Sequence, residues 1–246
     1  MAMSLEDMRV ELGAAMTSAQ PGLQAANALC QACVEWLGVD GAAISMIHDG
    51  FSHGTFGASS ESSRRVDEFQ FTFGQGPCLD AAAAQQMVLA PDLDSPDEIR
   101  WPAFAGAVLG DGVRAVFAMP ISITSICVGA LDLFRAEPGP LSDDHLAGGL
   151  LAADLASLPL LDLIASTKGS HVDDEDPWVQ LGQLDRLEVY QATGMLISQL
   201  DVDATEALVR LRAHAIATNG TASQVAIAII QRSLVLERDH DHRRSR

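Results

Sequence analysis

The sequence predicts an α+β domain, an antiparallel sheet with flanking helices, followed by an all-α unit of three helices. Three observations carry that prediction. Alternating apolar segments bounded by glycine or proline crowd residues 42–134, helical patterns stand on either side of them, and from Trp178 onward the pattern is helical throughout. A chain of 246 residues also exceeds the roughly 100–200 residues over which one core usually extends. Two domains therefore fit better than one.

The elements follow in order. Residues 4–17 read as a short helix, and Leu23–Leu37 as a longer one that stops at Gly38. The alternation from Ala42 to His48, the turn signal Asp49-Gly50 and the run Phe51–Phe56 give a hairpin. Residues 57–67 are polar and read as a loop, and Phe69-Gln70-Phe71-Thr72-Phe73 alternates as a strand does. Gly74 and Gly76 break that run, and Pro77 suits the first turn of a helix over 78–86. Met87–Ala90 is a short strand, Pro91–Asp94 a loop and Trp101–Leu109 a helix. Val113–Ile123 and Ile126–Phe134 form a second antiparallel pair, and a helix over 142–166 closes the domain.

Residues 167–177 are polar, acidic and bounded by Gly and Pro, which marks a linker. Beyond it, a first helix over 178–200 carries Leu181, Leu184 and Leu187. This stripe reads either as a coiled-coil seam joining two chains or as ordinary core. The second helix begins after Asp203, with Glu206 three residues on in a capping-box arrangement. The third begins near Thr221 and runs to Leu236, and residues 237–246 are a mixed-charge, disordered tail.

Charge is distributed unevenly. Residues 1–176 hold 25 Asp and Glu against 7 Lys and Arg, the whole of the net −18, whereas residues 177–246 hold 8 of each. A nucleic-acid binder needs a basic footprint, so the N-terminal part is excluded from that role and the C-terminal part is not. No run approaches the ~18 apolar residues of a membrane span. The N-terminus carries acidic residues and no apolar stretch where a signal peptide would stand. A cytoplasmic protein with four reduced cysteines is expected.

Chemistry-bearing motifs are few. The Gly74–Gly76 stretch lacks the spacing of a P-loop or dinucleotide fingerprint. Seven histidines form no compact ligand set, although His48 and His53 flank a turn, so no metal site is expected. None of the carboxylates sits in a motif that fixes catalytic geometry. No catalytic residue, no enzyme activity and no cofactor are therefore expected. Cys30 and Cys33 lie one helical turn apart on a core face, and Cys127 reads as strand interior. Cys78 opens a helix after a glycine turn, a place that lowers thiol pKa. It reads either as a redox or ligand-binding thiol or as a small residue buried by the turn.

Two resemblances cover most of the chain. Segment 20–166 resembles a GAF sensory domain. The matching residues are Gly74-x-Gly76-Pro77-Cys78, Ala90-Pro91-Asp92-Leu93, Trp101-Pro102-x-Phe104, Gly112-Val113-Arg114-Ala115 with Met119-Pro120-Ile121, and Gly129-Ala130-Leu131-Asp132-Leu133. Segment 178–236 resembles an ANTAR domain, the helical RNA-binding module of transcription antiterminators. That match rests on Arg186, Val189, Ala192, Gly194, Leu196, Ala207, Leu211, Arg212, Ala215, Val225 and Ala226, with Thr193 where the family often has Lys.

The resemblances imply a homodimeric, signal-responsive regulator that binds paired stem-loops in nascent RNA and promotes antitermination. Arg186, Arg210, Arg212, His214, Thr221, Ser223, Gln224 and Arg232 would supply the RNA contacts. Ser45, Phe56, Phe71, Cys78, Phe117 and Met119 would line a small-molecule pocket on one face of the sheet, unless side chains fill it. Two alternatives stay open: a protein-interaction or dimerisation regulator without RNA contact, and a thiol redox sensor using Cys78.

Overall fold

In the computed structural model, residues 4–48, 51–167 and 186–237 are described, and they divide into two compact units between Asp185 and Arg186. The turn at Asp49-Gly50, the linker residues 168–177, Leu181 and Leu184, and the tail from residue 238 lie outside the described residues.

Glycine and alternating small and branched residues let the central strands lie with both faces covered. The first unit is built on β1 (Gly41–His48), β2 (Phe51–Ala58), β3 (Val88–Ala90), β4 (Ala115–Ile123) and β5 (Ile126–Arg135), ordered β2-β1-β5-β4-β3 with every pairing antiparallel. Side chains of successive strand residues point to opposite faces, and the two faces carry different chemistry. Ile44, Met46, Phe56, Phe117, Met119, Ile121, Leu131 and Leu133 enter one apolar core. That core includes residues of α1 (Leu5–Thr17), α2 (Leu23–Trp36) and α6 (Asp143–Thr167). On the other face, Ala43, Val116 and Phe134 pack with residues of α3 (Glu61–Phe73) and α5 (Pro102–Gly110), while Ile47 and Ala130 meet Cys78 and Ala82 of α4 (Pro77–Ala84).

The expected loop at 57–67 is instead the end of β2 and the start of α3, and the expected strand at 69–73 is the rest of that helix. The alternating aromatics satisfy two periods at once: Val66, Phe69, Gln70 and Phe73 also stand at helical spacing. Local signals decide for the helix. Ser60 caps its start by accepting from the Ser63 N–H at 3.1 Å, Gly74 ends it in the left-handed region at φ 64°, and Phe69 stacks on Phe73 with ring centroids 5.7 Å apart. At the N-terminus, Ser4 and Asp7 form a reciprocal capping box that sets the start of α1. Among the described residues, no helix is long and apolar enough to cross a membrane.

The second unit contains α7 (Leu187–Leu200), α8 (Ala204–Ala217) and α9 (Ala222–Ile230). Its core is Val189, Ala192, Leu196, Leu200, Ala207, Leu211, Ala215, Val225, Ala226 and Ile229, all buried. Alanines at so many of these positions bring the helices close together. Asp203 caps α8 by accepting from the Glu206 N–H at 2.8 Å. Helix α9 ends at Ile230, short of the expected Leu236. The chain turns there, with Arg232 at φ 57°, and the Ser233 and Leu234 N–H groups reach back to the Ala228 carbonyl.

Candidate functional site

A buried polar cluster forms where α3 and the start of α4 cover the sheet. Ser45 on β1 faces this side between its register partners, Thr55 on β2 and Ala130 on β5. The Ser45 hydroxyl donates to Asp67 Oδ1, and the Thr55 hydroxyl donates to Asp67 Oδ2 at 2.5 Å. One turn along α3 from Asp67, the Gln70 amide Nε2 donates to Asp132 Oδ2 on β5, while its Oε1 accepts the Cys78 N–H at 2.8 Å. Ser45, Thr55, Asp67, Gln70, Cys78 and Asp132 are all buried.

The electrostatics follow from burial. Desolvation pushes the Asp132 carboxyl well above its ordinary range, the nearby Asp67 charge pushes the same way, and the Gln70 hydrogen bond opposes both. Asp132 Oδ1 has no hydrogen-bond partner among the described residues, which is costly for a buried polar atom. Donor atoms of Asp67, Cys78 and Asp132 lie within 4.8 Å of one another. Residues without metal-ligand spacing in the sequence are thus gathered into a potential three-donor set.

The glycine turn before α4 is shaped around Gln70. At Gly76, φ is 154°, and a Cβ there would collide with the Gln70 side chain, including its Cγ at 2.6 Å. The other cysteines are part of the packing. Cys30 and Cys33 are buried on α2, with burial pushing the Cys33 thiol up to about 12 and the Cys30 thiol well above its ordinary value. Cys127 is half-buried near the β4–β5 turn rather than deep in the strand.

Of the six expected pocket residues, the sheet keeps only Ser45 and Cys78 with this cluster. Phe56, Phe117 and Met119 lie in the core on the opposite face, and Phe71 is buried on α3. Thr55, Asp67, Gln70 and Asp132 complete the cluster. Asp67 and Gln70 escape sequence reading because their segment is read as loop and strand. Asp132 is quoted in the GAF motif, but only the fold places it opposite α3. A separate cleft at the N-terminal end of α3 is lined by Ser60, Ser63, Arg65, Asp111 and Arg135 and contains none of the six.

The expected RNA contacts are also redistributed. Arg186 is buried at 3 % exposure, at the N-cap of α7. Thr221 is buried and forms a capping box with Gln224, so both side chains serve the start of α9. Arg210 is ion-paired to Glu206 at 2.7 Å. Arg212, His214 and Ser223 are partly exposed and Arg232 is exposed. Burial, then the neighbouring positive charge of Arg186, holds the Arg212 guanidinium below its ordinary pKa.

Comparison with known proteins bears on the first unit. The model of the GAF domain family matches residues 24–158. The GAF domain of a phosphoenolpyruvate-protein phosphotransferase from Coxiella burnetii superposes with a TM-score of 0.53 at 16% identity, covering 68% of this chain and 98% of that one. The corresponding domain from Acinetobacter gives 0.53 at 10% identity, covering 68% and 99%. At such identities these two likenesses speak to fold alone. No curated protein matches the chain. With more than half of the sequence matched by the family model, on a five-stranded antiparallel sheet with helices on both faces, the chain belongs to the GAF domain family.

Proposed function

We propose that this protein is a signal-responsive regulator, not an enzyme. In this reading its GAF domain takes a small ligand at the buried polar cluster, and its C-terminal helices bind RNA stem-loops to promote transcription antitermination as a homodimer. The observation that carries the RNA half is the set of accessible basic residues on the helical unit: in a chain of net charge −18, Arg212 and His214 on α8 are partly exposed and Arg232 beyond α9 is exposed. A phosphate oxygen accepts charge-assisted hydrogen bonds from a guanidinium. The ANTAR-like pattern of small residues supports the same reading, since Ala192, Ala207, Ala215 and Ala226 form the close-packed core on which the arginines are mounted.

A second reading has its own support. Leu187, Tyr190, Val209, Ile216 and Ile227 are exposed on the helical unit, which favours contact with a protein or with a second copy. The redox reading with Cys78 as a reactive thiol is disfavoured by its burial.

A gel shift separates the first two readings: full-length protein against a tandem stem-loop RNA and against the same RNA with scrambled loops, at ~0.15 M salt. The expected result is loop-dependent binding that weakens steeply with salt and falls roughly tenfold or more in Arg212→Ala. Binding indifferent to loops and salt would transfer the proposal to the protein-contact reading.

A further inference from the structure

The buried cluster poses a problem of charge that its hydrogen bonds do not solve. Asp67, Asp132 and the Cys78 thiol converge in the interior of the first unit, with one donor atom from each within 4.8 Å of the others. Asp67 is satisfied by hydroxyls, whereas Asp132 Oδ1 is fully buried without a hydrogen-bond partner among the described residues. Removing charged groups from water costs several kcal/mol each unless an opposite charge is close. A proton can quiet one carboxylate. A divalent cation bonds all three groups at once and gives the Asp132 carboxylate an opposite charge.

The donor set also selects the cation. Two carboxylates with a thiolate suit a borderline-soft transition metal, while magnesium and calcium prefer oxygen alone. Donor atoms around a tetrahedral ion with metal–oxygen and metal–sulfur bonds of roughly 2.0–2.3 Å stand roughly 3.3–3.7 Å apart. The three donor atoms lie within 4.8 Å of one another. An outer ring of partners is already in place. The Gln70 carboxamide joins Asp132 to the backbone of Cys78, and Ser45 and Thr55 hold Asp67. Such supporting hydrogen bonds orient metal ligands and tune their affinity.

We propose that Asp67, Cys78 and Asp132 bind one divalent transition-metal ion of the zinc or ferrous-iron class inside the GAF domain, leaving one coordination position open. Metal ligation requires the deprotonated thiolate and carboxylate forms, so binding is expected to strengthen as pH rises. The open position gives an exogenous donor a place to bind. This deepens the sensing half of the proposed function and rests on that reading only for its regulatory meaning.

The test uses full-length protein stripped with chelator and titrated anaerobically with Co(II), which reports thiolate ligation by a charge-transfer band in the near ultraviolet. The expected result is one Co(II) per chain with that band, tetrahedral d–d absorption, and displacement by zinc. Cys78→Ser loses the band. Asp132→Asn loses binding, and Gln70→Leu, which leaves all three ligands in place, weakens it roughly 10- to 100-fold. X-ray absorption of the zinc-loaded parent reads one sulfur and several oxygen neighbours and does not depend on any variant folding. Absence of the band in the parent, its survival in Cys78→Ser, or a zinc shell without sulfur overturns the proposal. The gel shift is run on stripped and loaded protein. RNA binding without metal binding removes the ion and leaves the regulator, whereas metal binding without RNA binding does the reverse.

Discussion

Gln70 shows how much one side chain organises. Its amide spans from β5 to the first turn of α4, so the conformation of one α3 residue fixes both Asp132 and Cys78. The thiols give the residue-scale prediction. Burial raises the Cys30, Cys33 and Cys127 thiols above their ordinary values, and Cys78 is fully buried. At pH 8 in the presence of chelator, a thiol reagent therefore modifies at most Cys127 quickly in the native protein and all four cysteines after denaturation. A second fast-reacting native thiol would contradict the burial of Cys78.

At the scale of elements, caps rather than propensity set several boundaries. Thr221 accepts from the Gln224 N–H, and Gln224 returns the bond to the Thr221 N–H. Losing such a cap costs about 1 kcal/mol. Thr221→Ala is expected to lower the unfolding free energy, read from urea denaturation, by that amount and Thr221→Ser to restore it. RNA affinity should be unchanged in both wherever they are folded, because Thr221 faces the bundle; a selective loss of RNA binding would return it to the interface. Both hairpin-like pairs, the long closing helix and the Asp203 cap were legible in the sequence because each rests on local chemistry. Helix α3 was not, since Phe69–Phe73 fits both periods and the tie-breakers are an unremarkable serine and a glycine. The candidate site suffered more than the fold. Its members come from β1, β2, α3, α4 and β5, and no local pattern reports which face of the sheet a strand residue occupies once both faces are buried.

At the scale of the whole molecule, two units of different size share one chain. The larger buries two apolar layers against its sheet; the smaller relies on a short list of alanines and leucines. Small domains bury a lower fraction of their surface and are marginal for it. Truncating Leu196, fully buried in α7, removes about 2–5 kcal/mol. Leu196→Ala is expected to unfold the helical unit alone. Tryptophan emission, to which the buried Trp101 of the first unit contributes, keeps its native transition, while far-ultraviolet circular dichroism reports the lost helical signal. A single shared transition would instead mean that the units fold as one.

The placing of the polar cluster on one face of the sheet, with the larger apolar core on the other, has a mechanical side. Strand β5 presents Asp132 to the cluster and its neighbours Leu131 and Leu133 to the helices behind. There α6 lies close: a methyl on Gly149 would meet the ends of the Met119 and Leu133 side chains at 2.6 and 3.0 Å. The strand is in effect a see-saw beam set between the two layers. Whatever pulls on Asp132 from one side leans, through the same backbone, on α6 from the other.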